Sequence, residues 1–364
     1  MKICVIGPVN SDRYFGGVAV FNESIADAFL RQGHDVVIIT DYSNKDRTLN
    51  GVPIISVCKN YGRQNIFRML KIRDKVKEFD PDVALSSLEY SLSLINKKGI
   101  NKKLQRIHFF HGFPSIKYYG LLKLTVMLVL DKLYCKYFEY TFANSNFTFV
   151  INNDIYKNRI LKVINLGLGY DFLEQLKGVD KIENASNGKL LYVGRLHDAK
   201  KVDVILYALK YIKEKYGKDY EFNVIGSGPE EDKLKEISLK YNLKVNFFGS
   251  LPSSEITSFY RNSEIFISLN PHEPFGMVYL EALANGCKII CPNSGGQLDF
   301  LVDYLDRVRF TNPFDYRDVG DSIVEMFERK VTPIDCREII SRFSYDNVAK
   351  NMLNCLNSWG ENIV

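Results

Sequence analysis

Two glutamates, Glu273 and Glu281, stand eight positions apart in the stretch ISLNPHEPFGMVYLEALANG. The pattern puts Glu273 in a loop just after a strand and Glu281 inside the helix that follows. Pro274, Phe275, Gly276 and Met277 form the turn between them. Free backbone N–H groups at a helix start attract phosphate, helped by the helix dipole. Gly276 lets the backbone approach a ligand closely. Carboxylates accept hydrogen bonds from hydroxyls, as sugars and riboses offer them. One glutamate in such a place is an ordinary helix-start charge; two in this setting point to a site for a phosphorylated sugar compound. A second stretch, VGRLHDAKK, sets Arg195 after a strand and a glycine, with Lys200 five residues later near a helix start. A guanidinium and an ammonium at one edge suit a diphosphate.

These groups need a scaffold that turns strand ends into a crevice. Lys2–Gly7 is a short apolar run ending in glycine, as a buried parallel strand does. A loop with Gly16 and Gly17 follows, then a helix pattern over 18–33, then the strand HDVVIITDY. Strand, glycine loop, helix and strand make a βαβ unit of the doubly wound class. Further strands are expected at Asp82–Ser86, Arg106–Phe110 and Tyr140–Ala143. The pattern restarts near Gly188 and alternates strands and helices to Asn293. Between the two, 165–187 has glycines, polar residues and little periodicity, as a linker would. The expectation is α/β, with two Rossmann-like α/β/α domains facing across a cleft at the carboxyl ends of their strands. Their bounds are 1–170 and 185–340, with 341–364 a last helix.

The chain has 364 residues and is 46% hydrophobic and 25% charged, which excludes a disordered chain and a small disulfide scaffold. Seven scattered cysteines show no CxxC spacing, so they read as reduced cysteines of a cytosolic protein, and zinc is not expected. MKICVIG opens directly as a strand, so no signal peptide is expected. The net charge of +5 divides unevenly: residues 1–184 carry 26 basic and 18 acidic side chains, and 185–364 carry 22 and 25. The basic half holds Lys97, Lys98, Lys102, Lys103 and Arg106 without an acid among them. That cluster is either a solvated surface or attracted to an anionic membrane; no nucleic-acid motif accompanies it. Residues 118–138 are apolar with interspersed lysines and too short an uncharged run to span a bilayer. A buried helix is the default there, and an interfacial one the alternative. GSGPEE and GPVNSDRYFGG do not complete a GxGxxG fingerprint, so a nicotinamide cofactor is not expected.

With these residues in place, the chain resembles the GT-B fold retaining glycosyltransferases, specifically glycosyltransferase family 4 (glycosyl transferases group 1). The family's two glutamates separated by seven residues match Glu273 and Glu281. Its Gly-Arg-Leu with a following lysine matches Gly194, Arg195, Leu196 and Lys200. Its glycine turn matches Gly226-Ser227-Gly228-Pro229, and its first-loop double glycine matches Gly16 and Gly17. Its histidine after an early strand matches His111, and its late Gly-Gly with an acid matches Gly295, Gly296 and Asp299. Two positions depart from the pattern: Lys201 stands where glycine is frequent, and Asp299 where glutamate is usual.

The resemblance implies transfer of a sugar from a nucleotide-sugar, UDP-linked by preference, to a hydroxyl of a lipid-linked or oligosaccharide acceptor in surface polysaccharide synthesis. It implies Glu273, Arg195, Lys200 and His111 as catalytic. Gly16, Gly17, Gly194, Gly226, Pro274, Phe275, Gly276, Met277, Val278 and Glu281 would bind the donor, with 1–170 the acceptor domain, 185–340 the nucleotide-sugar domain and 341–364 a helix crossing back to the first domain. Cations and a helix start would replace a divalent metal, and Asp80-Pro81-Asp82 reads as a turn, so neither metal nor cofactor is expected. Expected location is the cytoplasm, with peripheral attachment to the inner membrane face as an extension. The competing readings are an inactive GT-B subunit that binds a partner and a sugar-nucleotide epimerase of the same fold.

Overall fold

The structure is a computed structural model, and it describes residues 1–11, 16–43, 47–58, 66–157 and 161–360. The chain divides into two compact units. Unit 1 comprises 1–169 together with 343–364, and unit 2 comprises 170–342.

Unit 1 is built on one sheet. Its strands are β1 (Lys2–Ile6), β2 (Asp35–Tyr42), β3 (Arg47–Leu49), β4 (Val52–Cys58), β5 (Val83–Ser87), β6 (Gln105–Phe110), β7 (Tyr140–Ala143) and β8 (Leu161–Val163). Their order is β3-β4-β2-β1-β5-β6-β7-β8, parallel except for the short hairpin strand β3. Both faces of β1 are covered, which is why KICVI reads as an unbroken apolar run. The chain order reverses at β1, between β2 and β5, so the ligand crevice of this sheet type opens at their carboxyl ends. The helix Gly17–Arg31 buries Ala19, Phe21, Ile25, Ala28 and Phe29, the residues its period places on one face. The last helix, Tyr345–Gly360, returns to it: Arg31 Nη2 and Gln32 Nε2 donate to Asp346 at 2.8 Å each, and the Tyr140 hydroxyl donates to the carbonyl of Leu356.

Unit 2 opens with β9 (Lys181–Ile182), followed by β10 (Lys189–Val193), β11 (Glu221–Ile225), β12 (Val245–Phe247), β13 (Ile265–Ile267), β14 (Lys288–Pro292), β15 (Val308–Thr311) and β16 (Ile334–Asp335). Six form a parallel sheet in the order β12-β11-β10-β13-β14-β15, and β9 pairs antiparallel with β16. Here the reversal falls between β10 and β13. The loops after these two strands carry Arg195 with Lys200, and Glu273, respectively.

Three expectations need correction. The segment 165–187 is not a bare linker: Tyr170–Leu176 is helical, and Phe172, Leu173 and Leu176 are buried in unit 2. Their spacing is helical, but the flanking glycines and polar residues masked it. The helix Ile116–Tyr137 is not a buried core helix along its length. Tyr134 is buried, yet Leu121, Leu122, Val126 and Val129 are exposed. Arg106 is no part of a surface cluster: it is buried, pairs with Glu139 and donates to the carbonyls of Leu94, Ile95 and Tyr137. Asp80-Pro81-Asp82 sits at the turn into β5, and Asp82 accepts from the Lys2 amide at 2.8 Å. Among the described residues no helix is long and apolar enough to cross a membrane.

Candidate functional site

Three loops at the carboxyl ends of β10, β11 and β12 are laced by backbone. Gly194 N–H donates to Ile225 O, Leu196 N–H to Ser227 O, and Gly226 N–H to Gly249 O, at 2.7–2.9 Å. Gly226 is glycine because a Cβ there would lie 1.9 Å from the Gly194 carbonyl oxygen. This close contact fixes the Gly194-Arg195-Leu196 turn, so Gly226 shapes the site through backbone. The turn is braced from below by the buried Tyr192, whose hydroxyl donates to the Arg195 carbonyl at 2.9 Å. The Arg195 side chain is exposed, and its guanidinium makes no hydrogen bond or ion pair among the described residues.

Lys200 closes a short 3-10 turn, Asp198–Lys200. Its ammonium lies 2.6 Å from Glu273 Oε2, and Asn270 Nδ2 donates to the same oxygen at 2.8 Å. Burial pushes the Glu273 carboxyl up, but the Lys200 charge and the two hydrogen bonds outweigh it and hold it below the ordinary value. Oε2 is thus occupied, while Oε1 has no partner among the described residues. The Glu273 loop is tied down by Gly296 N–H, which donates to its carbonyl, and by the Ser294 hydroxyl, which donates to the Pro271 carbonyl.

Beyond Glu273 the chain turns through Pro274, Phe275 and Gly276 into the helix Met277–Ala284. Phe275 is buried against Phe300, ring centroids 5.3 Å apart, so only its backbone is left to face a ligand. Gly276 has φ +92°, and a Cβ would strike the Tyr279 ring at 2.6 Å. Its carbonyl accepts from Tyr279 and Leu280, and the first-turn amides of Met277 and Val278 have no partner among the described residues. Glu281 sits one turn in. The Tyr260 hydroxyl donates to its Oε2 at 3.0 Å, but burial prevails and lifts the carboxyl to about 7.

In unit 1, Gly16 and Gly17 begin the helix after β1, and His111 follows β6. His111 Nε2 is 3.0 Å from the Ser87 hydroxyl at the end of β5, and its ring packs against Phe21 and Phe109, centroids 4.7 and 4.8 Å away. Burial pushes it down to about 3, so the imidazole is neutral. A Cβ on Gly17 would meet nothing within 4 Å.

The structure therefore joins Lys200 to Glu273 directly. It sets Gly276, Met277, Val278 and Glu281 on one turn, and keeps Gly16, Gly17 and His111 in the other unit. Sequence reasoning missed Asn270, Ser87 and Tyr260. Asn270 carried a signal, since an asparagine ending a strand before Pro-His-Glu is placed to bond that loop; Ser87 and Tyr260 carried none.

The family Glycosyl transferases group 1 matches residues 179–342, and Glycosyltransferase Family 4 matches 15–150. An uncharacterised glycosyltransferase of Methanocaldococcus jannaschii is 26% identical over 176 residues, 45% of this chain; the match spans 43% of that protein's length. Among solved structures, sucrose-phosphate synthase from Thermosynechococcus elongatus superposes with a TM-score of 0.77 at 18% identity, covering 99% of each chain. Anabaena HepE, solved with UDP and glucose, superposes with a TM-score of 0.74 at 15% identity, covering 98% of this chain and 100% of its own. With both halves matched and the fold shared end to end, the chain belongs to the GT-B glycosyltransferases of group 1, family 4.

Proposed function

We propose that this protein transfers a sugar from a UDP-sugar to an acceptor hydroxyl with retention of configuration and without a metal. The acceptor is a lipid-linked or oligosaccharide glycan of surface polysaccharide synthesis. The observation that carries the reading is the Lys200–Glu273 pair, held by Asn270, beside an unpaired helix start. An ammonium has three donors. Lys200 can hold Glu273 with one and a diphosphate with another. The free guanidinium of Arg195 and the amides of Met277 and Val278 supply the remaining positive potential. As the glycosidic bond breaks, negative charge grows on the leaving diphosphate, and these fixed donors stabilise it. Glu273 Oε1 is open to a sugar hydroxyl. Glu281 accepts from a ribose hydroxyl, and His111 serves as a neutral partner for the donor sugar. The Anabaena structure with UDP and glucose supports the choice of base and donor class.

Thermal shift against a panel of nucleotides and nucleotide-sugars, with and without EDTA, tests this. Occupancy at 100 times the dissociation constant adds about 2.7 kcal/mol. The expected result is stabilisation by UDP and by one UDP-sugar, unchanged by EDTA. Absence of any shift with nucleoside diphosphates would remove the donor site; stabilisation that needs magnesium would remove the metal-free reading.

A further inference from the structure

The helix Ile116–Tyr137 leaves the helical path at Gly120, where φ is +70° and ψ 165°. From Leu121 on, its inner side is fastened to unit 1. Tyr134 is buried, Leu130 packs on the core, and Asp131 accepts from the Tyr156 hydroxyl at 2.8 Å. Its outer side is not covered by any of the described residues. Leu121 is 71% exposed, Leu122 83%, Val126 51% and Val129 55%. Leu122, Val126 and Val129 fall at i, i+4 and i+7, a single stripe. Contiguous exposed side chains of this size mark an interaction surface.

The charges say what covers it. Toward its C-terminal end this helix exposes Lys132, Lys136 and Tyr137. Lys98, Lys102 and Lys103, in the loop leading into β6, are exposed as well. Lys97 is not available, being paired with Glu139. Unit 1 as a whole carries 25 basic and 16 acidic side chains, a net +9, against a net of −4 for unit 2. A second copy of this chain docking on the stripe would set like charges against one another. An anionic bilayer would not: its hydrocarbon edge takes the leucines and valines, and its phosphates take lysines whose stems reach up from the helix.

We propose that residues 121–136 form an in-plane anchor that holds unit 1 on an anionic membrane surface. The anchor stands on this surface alone. Only its consequence, that the acceptor is presented by a lipid, rests on the glycosyl-transfer reading. The chain leads from His111 at the end of β6 into this helix within ten residues.

Co-sedimentation of the full chain with sucrose-loaded vesicles tests it, with phosphatidylcholine alone set against phosphatidylcholine mixed with phosphatidylglycerol. The expected result is partition onto the mixed vesicles, weakened by salt. Lys132→Gln and Lys136→Gln should each lower the partition coefficient about fivefold. The double variant Leu122→Ser with Val126→Ser should lower it at least tenfold. Both side chains are exposed, so that variant keeps its circular dichroism and its response to UDP, and a fault in the anchor is distinguishable from a fault in the donor site. Absence of binding to either vesicle at low salt, or binding unchanged in the double variant, would overturn the proposal. Dimerisation in sedimentation velocity that the double variant abolishes would also overturn it and give the stripe to a second copy.

Discussion

At the residue scale the site separates groups that hold the loops from groups left free to act. Arg195 is free and Lys200 is half-committed to Glu273. Arg195→Ala is therefore expected to cost turnover without costing stability. A loss of about 100–1,000-fold, the scale of one oxyanion donor, is expected in steady-state transfer assays for either Arg195→Ala or Lys200→Ala. Only the lysine variant should also lower the melting temperature, because it leaves Glu273 with a single hydrogen-bonding side chain. Gly17 offers the opposite contrast. Its helical position and the open space around it mean that Gly17→Ala should raise stability by about 0.5–1 kcal/mol. If the open space is where the donor lies, the same methyl lowers turnover; unchanged kinetics would take Gly17 out of donor binding. Lys201, where the family favours glycine, has φ +53°, so the family's preference answers a left-handed turn that this chain fills with a lysine bonded to Asp198.

At the element scale the strands and the helices between them were legible because the central parallel strands are buried on both faces and most covering helices on one. β10, β11, β13 and β14 stood out as apolar runs closed by glycine, asparagine or proline. The site's cationic and carboxylate residues were legible through their place at those strand ends. What stayed hidden depends on tertiary partners. Lys288 lies in a strand yet is fully buried, bonded to Glu264 and to the Met326 carbonyl, and no local pattern announces such a pair. The exposed stripe on Leu121–Tyr137 was equally illegible, since an apolar helix looks the same in sequence whether protein or something else covers it. The resemblance implies that the last helix crosses back to the first domain, but the side chains that fasten it to unit 1, Asp346 with Arg31 and Gln32, are distant partners that no local pattern pairs. Met352 is fully buried in that helix. Met352→Ala should cost about 2–5 kcal/mol in urea unfolding of unit 1 and leave the unfolding of unit 2 in place. A loss shared equally by both transitions would mean that the two units unfold as one.

At the scale of the whole molecule, the buried titratable groups of the two units pull in opposite directions with pH. In unit 1, burial pushes His111 down to about 3; burial, with a lesser contribution from His111, does the same to His108. A histidine depressed in the folded state binds its proton only after unfolding, so its stabilising contribution is lost as pH falls from 6.5 toward 3. Asp131, lifted by burial to about 6, works the other way between 6 and 3.8, but it is one group against two. In unit 2, burial lifts Glu281 from 4.5 to about 7. That carboxyl holds a proton in the fold which the unfolded chain releases, so stability falls as pH rises from 4.5 to 7 and recovers on acidification. The carboxylates held low, Glu139 and Glu273, enter only below about 4.5. Each group contributes about 1.4 kcal/mol per pH unit across its window. Between pH 7 and 5, calorimetry should thus show the unit 1 transition moving down and the unit 2 transition moving up. His111→Gln should remove most of the first shift, because Asp131 then offsets much of what His108 contributes, and Glu281→Gln should remove the second. Because a ribose hydroxyl donating to Glu281 favours its ionised form, UDP should also bind more tightly at pH 8 than at pH 6, and Glu281→Gln should flatten that dependence. Transitions that move together, or a UDP affinity indifferent to pH in the unaltered protein, would show that Glu281 is not held protonated at the donor site.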